Sequence, residues 1–383
     1  MIQTVTIADI AAPVPRSIAI GPFGSALRAD RYTSSGVPVV RGQNIGDRWG
    51  LSTDDLVYVA RETADEFPAC LVRPGDLVFP HRGAIGRVAR VDDQEWLLSS
   101  SMMKLTVDTD VADSRFVLLY FRDKGRDELL SRASTVGTPG IGQPLTSLRS
   151  IPIPLPPLPE QQAIAEVLGA LDDKIAANTA LAATAWGLME TQFRLIQADP
   201  AHSKSTLGAI VSLEYGKALS AAARRSGEVA VVGSGGISGA HSVALVDRSG
   251  VVVGRKGSAG SVHWVSGPHF PIDTTFYVRG TRAGISQPYL YFLLRTLRLD
   301  EMNNDSAVPG LNRSEALALP IALADTTRIA SFTYQADALI ELIDAVSREN
   351  RTLAATRDAL LPQLMSGKLR VRHAEKVAAA AGV

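Results

Sequence analysis

A self-similarity at a period near half the chain length constrains this sequence most, because a duplicated chain must fold as two related units. NTALAAT at Asn178–Thr184 and NRTLAAT at Asn350–Thr356 are 172 residues apart, and the same shift aligns Leu171-Asp172 with Ile343-Asp344. Upstream, HRGAIGRV (His81–Val88) matches RKGSAGSV (Arg255–Val262), and the TPG ending at Gly140 matches the VPG ending at Gly310, so every shift lies between 170 and 174. The implied order is globular unit, helix, globular unit, helix. A chain of 383 residues exceeds what one hydrophobic core usually organises, which agrees with two units.

The two helices are legible as apolar stripes. Ile164, Leu168, Leu171, Ile175, Asn178, Ala182, Ala185 and Met189 recur at alternating steps of three and four. So do Ile329, Phe332, Ala336, Leu339, Ile343, Val346, Asn350, Leu353, Arg357, Leu360 and Leu364. That spacing averages about 3.5 residues, the period of a coiled-coil seam. Each pattern runs for roughly 35 residues, or about 50 Å, longer than a globular helix usually is, so the helices are expected to pack on each other and not only on their own domains. Asn178 and Asn350 fall on the two seams, where a polar residue can fix register at some expense of stability.

The entry to the first helix, IPIPLPPLPEQQ (Ile151–Gln162), is too rich in proline to be helical and predicts an extended strap ending near Pro159 or Glu160. In the second copy, LALPIALADTTR (Leu317–Arg328) offers Asp325 or Thr326 as the N-cap, and Gly367 closes the helix. Val37–Ile45, Gly75–Gly83, Glu228–Gly239 and Gly250–Gly260 read as apolar strands entering glycine-rich turns. Ser114–Arg122 and Gln287–Leu297 read as helices at matching places, so each unit is α/β (α+β) in class.

Hydrophobic residues at 46% and charged residues at 20% describe an ordinary globular chain. No apolar run is long enough to span a bilayer and the N-terminus lacks signal-peptide order, which predicts a cytoplasmic protein. The single cysteine, Cys70, excludes an internal disulfide and reads as a structural thiol. Neither a metal nor a cofactor is expected. Lys plus Arg equals Asp plus Glu at 39 each, which gives no global electrostatic sign of nucleic-acid binding. Acidic residues crowd 47–66 and 92–128, however, while 204–313 holds more Lys and Arg than Asp and Glu.

GVPVVRGQNI, PGDLVFPHRGAIGRV, IPIPLPPLPEQQAIAEVLGALDDKIAANTAL and LLPQLMSGKL resemble the motifs of type I restriction-modification specificity subunits, over nearly the whole chain. PLPPLPEQ at the helix entry is the most specific of them. The resemblance implies two target-recognition domains in pseudo-twofold duplication, separated by two long helices that form an antiparallel coiled coil. It places target-recognition domains at 1–158 and 200–322, spacer helices at 159–199 and 323–370, and a tail at 371–383. It also implies a bipartite double-stranded DNA target, two docked methyltransferase (modification) subunits and restriction subunits joining the assembly, with no catalysis by the chain itself. The second strap departs from the PLPEQ form, so docking near it is expected to differ in detail.

Side chains able to reach bases or phosphates at strand ends and turns are Arg41, Gln43, Asn44, His81, Arg82, Ser234, Arg255 and Lys256. His81, Arg82, Arg255 and Lys256 gain weight from standing at equivalent places before the paired glycine turns. Asn44 could equally cap a turn. The run Ser234-Gly235-Gly236 could offer a nest of amides to a phosphate or simply make a tight turn. His241, His263, Trp264, Asn312 and Arg313 come from polar loops, where a solvated surface is the simpler role. An enzyme finds no support: the sequence holds no Walker loop, no HExxH, no nucleophile elbow, no methyltransferase-type [ND]PP[YF] and no metal-spaced cluster. LDDKI (Leu171–Ile175) imitates a nuclease acidic pair but sits on the helix, where a solvated face is expected. A coiled-coil scaffold without a DNA role remains the alternative, favoured by zero net charge.

Overall fold

The computed structural model describes residues 2–23, 26–46, 50–134, 137–199, 202–302 and 310–383. Val308 and Pro309 of the second proline-glycine repeat lie outside these, as do residues 200 and 201 at the expected start of the second domain. The chain divides into two compact units, Met1–Ala176 with Asn350–Val383, and Ala177–Glu349.

In the first unit a four-stranded antiparallel sheet runs in the order Ile18–Ile20, Met102–Leu105, Leu77–Pro80, Ala89–Arg90. Phe116 to Phe121 of the helix Ser114–Arg122 are buried; Phe116, Val117 and Phe121 join Leu77, Phe79, Met103 and Leu105 of the sheet in one core. Asp113 starts that helix by accepting from the Arg115 and Phe116 amides, a cap that satisfies two otherwise orphaned donors. A second sheet contains Val37–Val40, buried along its length and parallel to Trp96–Leu98. A strand covered on both faces has no polar side to alternate with, which is why VPVV reads as an unbroken apolar run. Gln3–Thr6 pairs with the strap, whose strand is Pro152–Leu155; proline is tolerated in this two-stranded ladder because every strand in it is an edge.

The second unit repeats the plan. Its four-stranded sheet runs Val211–Tyr215, Thr275–Gly280, Gly250–Gly254, Val262–Val265, with the helix Gln287–Thr296 in its core. Val229–Gly233 pairs in parallel with His269–Pro271, and His202–Thr206 pairs with the second strap at Pro320–Ala324. The glycine turns coincide in conformation: Gly83 and Gly257 have φ of 77° and 78°, Gly86 and Gly260 have 86° and 80°. Arg82 bridges Gly140 as Lys256 bridges Gly310.

The long helices span Leu158–Gln197 and Thr326–Met365, 40 residues each, and each passes from one unit into the other. Within each unit they run antiparallel. In the first, Asn350 Nδ2 donates to the Ile175 carbonyl at 3.4 Å and Arg357 pairs with Asp172. In the second, Asn178 Nδ2 donates to Glu349 Oε2 at 2.7 Å, Gln192 to Gln335 at 2.6 Å, and Arg328 pairs with Asp199. The apolar stripe positions Leu171, Leu353, Leu360, Ala185, Met189, Ile329 and Ile343 are buried. Asp325 caps the second helix through the Thr327 amide at 2.8 Å, and Gly367 ends it with φ of 69°. Val371–Ala380, read from sequence as a tail, forms a further helix that buries Ala374 and Ala378 in the first unit.

One expectation fails on this helix. Asp172 is not on a solvated face: its side chain is only 11% exposed and meets both Arg357 and Arg122, the latter at 3.6 Å. Burial nonetheless holds its carboxyl above the usual carboxylate range, because desolvation outweighs the two guanidinium groups.

Candidate nucleic-acid interface

In the first unit the strand Val37–Val40 delivers Arg41 to a short turn at Gly42–Asn44. Asn44 makes that turn. It is fully buried, accepts from the Arg41 amide at 3.0 Å and donates to the carbonyls of Ser52 and Asp54 at 3.4 and 3.2 Å, so its amide is committed to the fold and shielded from solvent. The Arg41 guanidinium donates to the Asp55 carbonyl, while Gln43 is exposed. The glycine turn after Leu77–Pro80 lies beside this one: a Cβ on Gly42 would sit 3.7 Å from Ala84, and Arg87 donates to the Ile45 carbonyl at 3.0 Å. The turns that carry Arg41 with Gln43 and Arg82 with Arg87 are therefore neighbours, and Arg87 is an exposed arginine that sequence reasoning passed over within HRGAIGRV. His81 does not join them. It is 5% exposed, its Nε2 is 3.0 Å from the Ser100 carbonyl, and burial holds its pKa below the usual imidazole value.

In the second unit Ser234 and Gly235 form the two-residue tip between Val229–Gly233 and Gly236–His241, with Gly236 at φ of 102°. The run is thus a tight hairpin turn, with the positive φ at the glycine that follows the tip and not at either central residue. Ser234 stands next to the glycine turn, since a Cβ on Gly257 would lie 3.3 Å from its Oγ. Its carbonyl accepts from Ser261 Oγ at 2.6 Å and sits 2.9 Å from His263 Nε2. Arg255 is held by two bonds from Nε and Nη2 to the Asp273 carbonyl, at 3.1 and 2.7 Å, and Lys256 is exposed. Arg313 comes to the same place: the guanidinium carbons of Arg255 and Arg313 lie 5.3 and 5.5 Å from the centre of the Tyr215 ring.

Three sequence candidates here serve the fold. His241 is 7% exposed and accepts from the Arg225 amide through Nδ1 at 3.0 Å. Asn312 caps the short helix after it by accepting from the Ser314 and Glu315 amides. Trp264 is in a strand, not a polar loop, and packs on Trp186 at 5.6 Å between ring centres.

The shared electrostatic property of the two surfaces is uncompensated positive charge. Among the described residues, Arg41, Arg82, Arg255, Lys256 and Arg313 have no carboxylate within ion-pair distance. No group of three or more His, Cys, Asp or Glu side chains among the described residues is placed to hold a metal. No helix among them is long and apolar enough to cross a membrane. Cys70 is buried, with its thiol 3.3 Å from the Ile20 carbonyl and its pKa pushed up by burial, which suits a structural thiol.

Residues 25–184 match the family model of the type I restriction modification DNA specificity domain. Among solved structures, the chain is similar to the S subunit of a type I restriction-modification system from M. genitalium, at 18% identity and a TM-score of 0.68, over 95% of this chain and 96% of that one. A lower similarity, with a TM-score of 0.37 at 16% identity, links it to the HsdS subunit of Thermoanaerobacter tengcongensis, over 96% and 97% of the two chains. The first of these extends the shared fold across both units. No curated protein sequence matched the chain.

Proposed function

We propose, from the match of residues 25–184 to the type I restriction modification DNA specificity domain, that this chain is the non-catalytic, cytoplasmic subunit that selects a bipartite duplex target for modification and restriction subunits. The observation carrying this reading is that both units bring carboxylate-free cations to the equivalent glycine turn, Arg82 in the first and Arg255 with Lys256 in the second, beside the turn that follows the parallel strand. A protein of zero net charge can bind a polyanion only through such local sites. A scaffold without a DNA role leaves these paired cations unexplained.

Arg41, Gln43, Arg82 and Arg87 in the first unit, with Ser234, Arg255, Lys256 and Arg313 in the second, are the proposed contacts. Arginine and glutamine supply the bidentate patterns that distinguish guanine and adenine in the major groove, each good pair contributing roughly 1–3 kcal/mol of discrimination. The long helices set the spacing between half-sites, expected near one helical turn, about 34–36 Å. Two methyltransferase subunits dock along the helices, and restriction subunits join them. In cells expressing the chain with its modification subunits, methylation mapping should return one bipartite motif; inserting seven residues in both helices should change the gap and leave both half-sites alone. Scattered methylation, or altered half-sites with an unaltered gap, would overturn the proposal.

A further inference from the structure

Tyr215 sits at the end of the strand Val211–Tyr215, 52% exposed, with its ring 5.0 Å from Phe276. An exposed tyrosine that gathers two guanidinium groups is unusual on electrostatic grounds. The cations repel each other, and among the described residues no carboxylate offsets them. Attraction to the ring face and, for Arg255, the Asp273 carbonyl are what hold them together. The Arg313 Nε is buried without a hydrogen-bond partner. Two positive groups assembled in this way form a site that is completed by an anion.

The equivalent positions of the first unit show that the frame does not require this cluster. Tyr215 pairs with Phe276 and Phe276 with Val253, as Ile20 pairs with Met103 and Met103 with Phe79, so Ile20 stands where Tyr215 does. The Arg255 carbonyl accepts from the Leu311 amide and the His81 carbonyl from the Ile141 amide, which equates Arg255 with His81 and, two residues after those amides, Arg313 with Gln143. Arg, Tyr and Arg in one unit are thus His, Ile and Gln in the other.

We infer that Tyr215 is a positioning residue that holds Arg255 and Arg313 as a two-pronged clamp on one backbone phosphate of duplex DNA, a contact made by the second unit only. With Nε and Nη2 turned to Asp273, Arg255 has lost the side-on fork suited to a guanine edge and keeps its terminal N–H groups, which suit a phosphate oxygen. Phosphate contacts fix the pose without reading sequence.

The inference rests on the DNA-reading function proposed above, and its test separates the two. The full chain in complex with its modification subunits is titrated with the mapped target duplex and with an unrelated duplex, over a range of salt concentrations. The double variant R255Q/R313Q should weaken both duplexes alike and lower the salt slope by about 0.9, the value for one phosphate. Y215I, which installs the first unit's residue, should weaken both by roughly three-fold, Y215F should match the parent, and Y215I should add nothing to R255Q/R313Q. A parent complex that binds the unrelated duplex as tightly as the target would overturn the function and this inference together. A parent that prefers its target, with an unchanged salt slope in the double variant or a loss confined to the target duplex, would overturn the clamp alone.

Discussion

The two units share a frame and differ in what they hang on it. His81, buried and bonded to a backbone carbonyl, occupies the position of the solvent-facing Arg255, and Ile20 that of Tyr215. Their helix entries differ as well. Gln161, the fourth residue of the first long helix, is fully buried, accepts from the Asp113 amide at 2.9 Å and donates to the carbonyls of Pro156 and Val111 at 2.8 and 3.2 Å. It ties strap, helix and the neighbouring helix cap through three otherwise unpaired backbone groups. The fourth residue of the second helix is Ile329, which fills its place with hydrocarbon. A duplicated frame therefore constrains backbone geometry at the turns, where φ must be positive, and leaves the chemistry at those turns free to diverge.

The difference at the helix entries should give the largest effect. Gln161→Leu leaves an amide and two carbonyls buried without partners and is expected to destabilise the first unit by about 3 kcal/mol, whereas Ile329→Leu should cost under about 1.5 kcal/mol. Chemical denaturation of the full chain measures both, and equal effects would break the distinction. A smaller contrast is expected between the register-equivalent aspartates. Asp172→Asn strips Arg122 and Arg357 of a shared carboxylate and should cost about 2 kcal/mol, while Asp344, which accepts from Ser249 Oγ at 3.0 Å, should tolerate Asn within about 0.5 kcal/mol. The same denaturation series tests it.

The smallest expected effect is a pH dependence. His81 has a folded pKa held below the usual 6.5, first by burial, so the unfolded chain binds its proton more readily. The stability it contributes is full above that value and declines as pH falls from about 6.5 towards the folded pKa. His81→Gln should flatten that part of the stability curve by less than about 1 kcal/mol, and an unaltered slope would remove His81 as its source.

The helices, straps and caps were legible because they depend on local rules. The seam from Ile164 to Met189, the cap at Asp325 and the stop at Gly367 follow from periodicity, side-chain acceptors and positive φ, each set by residues within a turn or two. The candidate surface was legible only in part. Arg82, Arg255 and Lys256 were singled out because duplication marked their turns, yet Asn44, His81 and His241 carry the same polar chemistry and point inward. Tyr215 gave no signal at all, since its partners are 40 and 98 residues away in the chain.

By itself the sequence determined that there are two copies of one α/β plan, where the long helices run, and which family the motifs resemble, because repetition and periodicity are properties of the chain. Which polar side chains face outward, and which cations meet over one aromatic ring, only the tertiary structure decided. The reason is that burial and charge pairing depend on distance in space: strand register sets Tyr215 beside the end of Gly250–Gly254, and the bridge between Lys256 and Gly310 brings in Arg313.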